Sequence, residues 1–406
     1  MTMIMKVEKL PKLFEEAAPI LKALQDNGFE AYFVGGSVRD LLINRPINDI
    51  DIATSAYPEE IKQTFKKTVD TGIEHGTVTV IENKQTYEVT TFRTESEYQD
   101  FRRPDKVTFV KSLTEDLKRR DFTINALAMD ANGEIIDLFG GLEDLDKQVI
   151  KAVGNPSERF HEDALRMMRA VRFQSQLDFG IEQHTKEAII EHHELLSKIA
   201  VERVRDEFLK LGLGQGFKKG FASFIDFKLV EQVPVLNVYE AELRRLLGIN
   251  FLPANEVAFW SMIAVCCQLS LAKIRKFLVQ WKNSNKVKEE VLAIVELFDI
   301  MMVKEPTNRQ LYHYGLTTLL QTIDLMRMFG EEVNATLLVD CYDQLLIKSR
   351  DELAIDGKIL IEDLGLRPGP AIGQILYEVE EAILNHELEN DLKAIKNYIE
   401  LGDFHE

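Results

Sequence analysis

Tyr32-Phe33-Val34-Gly35-Gly36-Ser37-Val38-Arg39-Asp40-Leu41-Leu42, followed by Asn48-Asp49-Ile50-Asp51-Ile52, is the stretch whose reading decides the fold. A β-rich run ends in two glycines and passes into helical spacing. Such a turn leaves backbone N–H groups free at a helix start, and the missing side chains let an anion come close. Phosphate is the natural ligand, although a Gly-Gly-Ser turn also occurs for purely structural reasons. Asp49 and Asp51 sharpen the reading. On a strand of period two they project from one face while Ile50 and Ile52 turn to the core. Two adjacent carboxylates repel each other, and a divalent cation relieves the repulsion. Mg2+ with nucleotide phosphates fits, because it takes oxygen ligands and leaves positions open for substrate. A lone D-x-D can equally be a solvated strand end; joined to the glycine turn, it points to metal-assisted phosphoryl transfer. Glu88, on another candidate strand, is either a third ligand or an exposed strand acid.

Outward from this stretch, the first 150 residues alternate short β-rich runs with helical ones. Strands are expected at Ala31 to Val34, Ile50 to Ala53, Thr77 to Ile81, Thr86 to Phe92 and Val107 to Phe109, with helices at Ser37 to Ile43 and Pro58 to Lys66. Beyond Pro156 the strand signals stop. Arg159 to Phe173, Lys186 to Ile199, Glu202 to Leu211 and Val257 to Val279 are expected as helices. The fold class is therefore α+β: a head with a mixed sheet, then an all-α remainder. Glycines 212, 214, 216 and 220 mark a joint or a helix turn, and Arg367-Pro368-Gly369-Pro370 marks a second break. The expected division is a head at 1–148, a neck at 149–220, a body at 221–310 and a tail at 311–406.

The chain has 406 residues, too many for one core, and its 45% hydrophobic and 29% charged residues are ordinary for a folded protein. A net charge of -18 argues against non-specific coating of nucleic acid, DNA included, but leaves room for a local basic face. Cys266, Cys267 and Cys341 suit neither a disulfide framework nor a metal cage. There is no secretory h-region, and Val257 to Cys267 is too short to span a bilayer. A cytoplasmic protein without a membrane partner is expected.

From Arg102 to Arg120 there are seven bases against three acids, an RNA or triphosphate face or else a solvated loop. The segment Arg159 to Phe173 reads as one amphipathic helix, with Asp163, Arg166, Arg169 and Arg172 at every third position. A salt-bridged surface helix would give the same pattern. The chemistry of a carboxylate beside a guanidinium is more pointed. Cytosine and adenine each present an exocyclic amino donor next to a ring-nitrogen acceptor, which such a pair matches. Uracil and guanine reverse both groups, leaving buried polar groups unpaired at roughly 1–3 kcal/mol each.

Gly35-Gly36-Ser37 with Asp49-x-Asp51 resembles the signature of the DNA polymerase β nucleotidyltransferase superfamily. GGSVRDLL followed by DIDIAT resembles more narrowly the class II tRNA nucleotidyltransferases and their bacterial poly(A) polymerase relatives. The resemblance implies a polymerase β-like head, catalytic metals on Asp49 and Asp51, and a nucleotide held by Gly36, Ser37 and Arg39. Arg119-Arg120-Asp121-Phe122-Thr123-Ile124-Asn125-Ala126 is similar to the family's RRDFT-x-NA motif. By it, Arg120 holds phosphate or sugar while Asp121 and Asn125 order the site. Glu162-Asp163-Ala164-Leu165-Arg166 resembles the EDALR motif, in which Asp163 and Arg166 read the base and Arg169 and Arg172 reach the same nucleotide. Ala200 to Phe208 resembles a bracing motif. Thr94 to Pro104 stands where the family has a flexible loop that CC-adding members lack.

The implied activity is addition of C, C and A to the tRNA 3′ end from CTP and ATP with Mg2+. An A-adding enzyme of a split pathway and a poly(A) polymerase remain as rivals. Asp100 to Asp105 and the Pro-Gly-Pro tail resemble the CCA-adding form more closely. A non-catalytic RNA-binding protein on the same fold would have little need of Asp49 and Asp51. His192-His193 is followed by Glu194, so no phosphohydrolase H…HD arrangement is present.

Overall fold

The computed structural model describes residues 5–95, 107–249 and 252–402. They fall into two compact units, Met1–Leu247 and Gly248–Glu406.

The N-terminal unit opens with helix α1 (Lys12–Asp26), whose Phe14, Ala17, Leu21 and Leu24 recur at helical spacing and are buried. Phe14 meets Phe33 of strand β1 (Ala31–Val34) edge to face, with ring centroids 5.0 Å apart. Helix α2 (Gly36–Leu42) follows directly, then β2 (Asp51–Thr54), α3 (Pro58–Thr64), β3 (Thr68–Gly72), β4 (Thr77–Glu82) and β5 (Gln85–Thr91). A small hairpin, β6 (Arg93–Glu95) with β7 (Val107–Phe109), leads to α4 (Leu113–Lys118), β8 (Leu127–Met129), β9 (Ile135–Asp137) and α5 (Gly141–Asp146). The main sheet has the order β3-β4-β5-β2-β1-β8-β9 and is antiparallel except where β2 and β5 run parallel. That register sets Asp51 beside Glu88. The strand itself begins at Asp51, so Asp49 lies in the approach to it, yet Ile50 and Ile52 are buried as the alternation requires.

The mixed sheet followed by helices agrees with the expected α+β class. Three helices do not form as expected, two of them in this unit. Arg159 to Phe173 divides into α6 (Pro156–Glu162) and α7 (Leu165–Leu177), and Asp163 between them is extended at φ -141°, ψ 102°. The cause is local: the Asp163 carboxylate accepts the Leu165 N–H at 3.1 Å, a short-range bond that competes with continued helix. Helix α8 (Gln183–His192) likewise passes into a 3-10 turn, His193–Lys198, rather than running on to Ile199.

Helix α7 is buried along most of its length and is crossed by α9 (Val201–Gly212) and α10 (Phe217–Asp226). The glycine-rich stretch is a tight helix turn that permits this crossing. A Cβ on Gly220 would stand 2.6 Å from Ser175 Cβ, and one on Gly214 2.2 Å from Ser175 Oγ. Ser175 Oγ donates to the Leu211 carbonyl at 2.6 Å, which pins the crossing. Helix α11 (Glu240–Arg245) closes the unit.

The C-terminal unit is helical throughout its described residues. The expected single helix Val257 to Val279 is two, α12 (Glu256–Cys266) and α13 (Leu271–Gln280), parted where Gln268 takes φ 50°. Then come α14 (Asn285–Met301), α15 (Asn308–Met328), α16 (Ala335–Asp343), α17 (Gly357–Glu362), α18 (Pro370–Leu384) and α19 (Leu392–Leu401). The break at Arg367 to Pro370 separates α17 from α18, with Pro370 in the first turn, where its missing N–H costs nothing. Leu319, Ile323, Val379, Ile383 and Ile395 belong to one apolar cluster of this unit. The three cysteines are free thiols. No helix among the described residues is long and apolar enough to cross a membrane.

Candidate active site

A cavity of about 630 Å3 opens in the N-terminal unit. Gly35, Gly36, Arg39, Asp49 and Asp51 line it from β1, α2 and the approach to β2; Arg119, Arg120, Asp121 and Asn125 come from the segment after α4; Asp163, Arg166, Arg169, Arg172, Phe173 and Lys210 come from the helices. Of the metal- and nucleotide-site residues expected from the sequence, two do not line it: Ser37, whose buried hydroxyl donates to the Val34 carbonyl at 3.0 Å, and Glu88, which is exposed on β5 beside Asp51. Seven bases against four acids line the walls of a protein with net charge -18.

Gly35 sits at φ 72°, a conformation that suits glycine, and a Cβ there would stand 2.8 Å from Arg120 Nη1 and 3.9 Å from Asp51 Oδ2. The glycine turn therefore lets the strand end, the acid and the arginine crowd together. Burial raises the Asp51 carboxyl above its ordinary value; Arg120 opposes the rise, and the Glu88 and Asp49 carboxylates add to it.

Behind the walls the arginines are held in fixed positions. Asp116, fully buried, takes Arg119 at 2.6 Å and Arg120 at 3.2 Å, and the two guanidiniums overcome the effect of burial to hold its carboxyl below the usual range. Arg120 Nε is itself buried without a hydrogen-bond partner among the described residues. Arg39 donates to Asn125 Oδ1 at 2.5 Å and to both oxygens of Asp40. Asn125 in turn donates to Asp121 Oδ1 at 3.0 Å, and Arg169 donates to Asp121 Oδ2 at 2.7 Å. Burial alone would raise the Asp121 carboxyl, but Arg169 and the hydrogen bonds from Asn125 and Phe122 N–H hold it well below the usual carboxylate range. Glu207, buried on α9, pairs with Arg172 at 2.8 Å and with Arg169 at 3.5 Å. Burial, reinforced by its cationic neighbours and opposed by Glu207, lowers the Arg172 guanidinium to about 10, so it stays charged at neutral pH. The guanidiniums of Arg172, Arg39 and Arg169 lie 3.6, 5.1 and 5.3 Å from the centre of the Phe173 ring.

Asp163 and Arg166 share the cavity and are each tied to other groups. Arg166 donates to Glu162 Oε2 at 2.7 Å and to the Arg119 carbonyl at 2.8 Å, while Asp163 Oδ2 accepts from Arg203 at 2.7 Å. The sequence reading missed Lys210 and Phe173 as lining residues, and it had Arg203 and Glu207 only within the Ala200 to Phe208 bracing motif, without their partners. Glu207 had a further signal, an acid between Val204 and Phe208 on the buried face of α9. From the basic segment, residues 96–106 lie outside the described residues, among them Arg102, Arg103, Asp105, Lys106 and the Asp100 to Asp105 motif.

The cavity's owner can be placed among known proteins. Residues 31–151 match the family model of the poly A polymerase head domain, residues 178–239 that of a probable RNA- and SrmB-binding site of polymerase A, and residues 252–399 that of a putative tRNA nucleotidyltransferase domain 2. The CCA-adding enzyme of Lactobacillus johnsonii is 53% identical over 398 residues, covering 98% of this chain and all of that one. The chain belongs to the CCA-adding enzyme family. The CCA-adding enzyme of Enterococcus faecalis is 50% identical and covers 97% of each chain. The crystal structure of the Bacillus stearothermophilus CCA-adding enzyme in complex with CTP superposes with a TM-score of 0.88 at 39% identity, covering 96% of this chain and 98% of that one.

Proposed function

We propose that this cavity adds C, C and A to the 3′ end of tRNA from CTP and ATP and releases pyrophosphate. One observation carries the reading: a carboxylate pair suited to metal and a wall of anchored arginines occupy the same cavity as an acid and a guanidinium suited to reading a base edge.

The donors fit a divalent cation. Asp51 is disfavoured as a carboxylate by burial and by the neighbouring acids, a penalty that a cation removes. Among the described residues no group of three or more His, Cys, Asp or Glu is arranged around a metal position. Two protein carboxylates leave coordination positions for phosphate oxygens and water, the arrangement Mg2+ favours. Asp49 and Asp51 would hold Mg2+, which when bound would offset charge on the reacting phosphate and ease deprotonation of the RNA 3′-hydroxyl. In the reaction the 3′-oxygen bonds to the α-phosphorus and the bond to pyrophosphate breaks.

The chain's own groups position the reactants. Gly36 and Arg39 offer donors to the triphosphate, and Arg39 is preorganised by Asp40 and Asn125. Arg120, Arg169 and Arg172 face the same space with their rotamers fixed by Asp116, Asp121 and Glu207, so their charge needs little rearrangement as phosphate charge moves. Asp163 accepts the exocyclic amino group of cytosine or adenine, and Arg166 donates to the adjacent ring nitrogen. Each of the two is held by its own anchor, Arg166 by Glu162 and the Arg119 carbonyl and Asp163 by Arg203. The expected division is into head (1–148), neck (149–220), body (221–310) and tail (311–406); the matched head domain ends at 151, near the first limit, whereas the matches over 178–239 and 252–399 run across the limits at 220 and 310. The tail would grip tRNA by shape. The free thiols favour a cytoplasmic setting.

The test uses tRNA transcripts ending at the discriminator base, at C and at CC, each incubated with a single nucleoside triphosphate and Mg2+, with the products sequenced. C on the first two and one A on the third are expected. A long A tail on all three, or A on the third alone with no C uptake, would replace the reading with a poly(A) polymerase or an A-adding enzyme.

A further inference from the structure

The turn that leads from α2 to the paired acids is tied to the last turn of α7. Asn44 turns back at φ 52° and donates its N–H to the Leu41 carbonyl at 3.2 Å, and the Arg45 N–H donates to the Asp40 carbonyl at 2.8 Å. The Arg45 side chain then leaves this local turn. Its Nη1 donates at 2.7 Å to the carbonyl of Gln176, 131 residues away. That carbonyl is one of those at the end of α7 that no N–H of the helix reaches, and a guanidinium there is favoured by the helix dipole. The Gln176 side chain meanwhile accepts from Arg172 at 2.6 Å. Beyond Arg45 stands Asp49, exposed and ahead of the strand, and next to it Ile50 is buried. The segment that carries Asp49 is therefore moored by Arg45 on one side and by Ile50 on the other.

We infer that Arg45 is a positioning residue for the divalent cation, holding the segment that carries Asp49 against the helix that carries the cavity's arginines. The inference rests on the reading that Asp49 and Asp51 hold Mg2+. Arg45 does not line the cavity, so it acts through Asp49 and not on substrate. Asp51 is placed by its strand register with Glu88, whereas Asp49 precedes the strand and depends on its own segment. Mg2+ demands near-ideal octahedral geometry, so a ligand that wanders weakens the site. With the Arg45 side chain released, the carboxylate must be ordered as the cation arrives, and that loss of conformational freedom falls on metal binding. Arg169 and Arg172 keep their pairs with Asp121 and Glu207, so nucleotide binding without metal is spared. A guanidinium that only capped α7 would move the melting midpoint and leave the metal affinity alone.

The experiment compares R45M, R45K, D49N and R45M/D49N with the parent. Mn2+ binding to the nucleotide-free enzyme is followed by electron paramagnetic resonance, CTP binding in EDTA by equilibrium dialysis, and Mg2+ dependence by extension of tRNA ending at the discriminator base. R45M is expected to weaken Mn2+ binding roughly tenfold and to raise the Mg2+ concentration for half-maximal extension to match, while the Kd for CTP in EDTA stays within about twofold. R45K keeps the charge but loses the fixed fork, and is expected to weaken Mn2+ binding about threefold. In the D49N background R45M is expected to change Mn2+ affinity no further, because the group it positions is gone. Unchanged Mn2+ affinity in R45M, or CTP binding in EDTA weakened as much as Mn2+ binding, overturns the proposal. Should R45M fail to fold, as judged by thermal unfolding, unchanged Mn2+ affinity in R45K overturns it. Unchanged Mn2+ affinity in D49N itself would instead overturn the metal-holding role of Asp49, an outcome separate from the failure of Arg45.

Discussion

Asp51 and Asp121 lie in one cavity and are perturbed in opposite directions, which separates their roles. Asp51 is disfavoured as an anion where it stands, the condition of a group awaiting a cation. Asp51→Ala, and equally Asp49→Ala, is expected to abolish nucleotide incorporation while leaving tRNA affinity within about twofold, as measured by single-turnover extension and filter binding; normal turnover in either variant would remove the metal assignment. Asp121 is favoured as an anion by Arg169, Asn125 and Phe122 N–H. A carboxyl lowered in the folded state contributes stability that is complete above its unfolded value of about 4 and fades as pH falls toward the folded value. Asp121→Asn is therefore expected to melt lower than the parent at pH 7, with the difference shrinking below about pH 4; a constant difference across that range would contradict the ion-pair account. The acids Asp49 and Asp51, the glycine turn, Arg39 and Arg120 were legible because each acts through chemistry written within a few neighbouring residues. For Arg203 only membership of the Ala200 to Phe208 bracing motif was legible and not its partner, because Asp163 lies forty residues away and only the fold brings them together. Ser37 shows the opposite case, a residue inside a legible motif whose hydroxyl the helix turn keeps for itself.

Helix α7 shows why element boundaries escape a reading by spacing. Asp163 to Arg172 keeps a three-residue period straight through the point where the helix breaks, so the pattern gave no sign of it, and the deciding interaction is one carboxylate on one N–H. Strand β3 was missed because it is an exposed edge carrying Asp70 and Gly72, and β8 because Leu127, Ala128 and Met129 are all buried and do not alternate. The clearly patterned runs were easier: β1, β4, β5 and α9 lie within a residue or two of their expected places. Since α7 carries Arg166, Arg169 and Arg172, its seat on α9 and α10 sets their positions. A methyl at Gly220 would meet Ser175 Cβ at 2.6 Å and the Val171 carbonyl at 2.7 Å, both on α7. Gly220→Ala is expected to cost about 1–3 kcal/mol and to lower the melting midpoint by several degrees. It should also reduce kcat/KM for CTP well below the melting range, whereas a cost confined to stability would leave cold activity unchanged.

At the scale of the whole molecule, the two compact units each carry their own buried side chains. The cavity belongs entirely to Met1–Leu247, while the cluster around Ile323, Val379 and Ile383 belongs entirely to Gly248–Glu406. A ligand that binds one folded unit stabilises that unit by mass action, by about 2.7 kcal/mol at a concentration one hundred times its Kd. A cavity at Ile383, which is fully buried, costs about 2–5 kcal/mol where it is made. Calorimetry of the full chain is therefore expected to resolve two transitions. CTP should raise one and leave the other in place, and Ile383→Ala should lower only the transition that CTP does not move. If CTP and Ile383→Ala act on the same transition, the two units unfold as one, and their separate cores do not amount to separate stabilities.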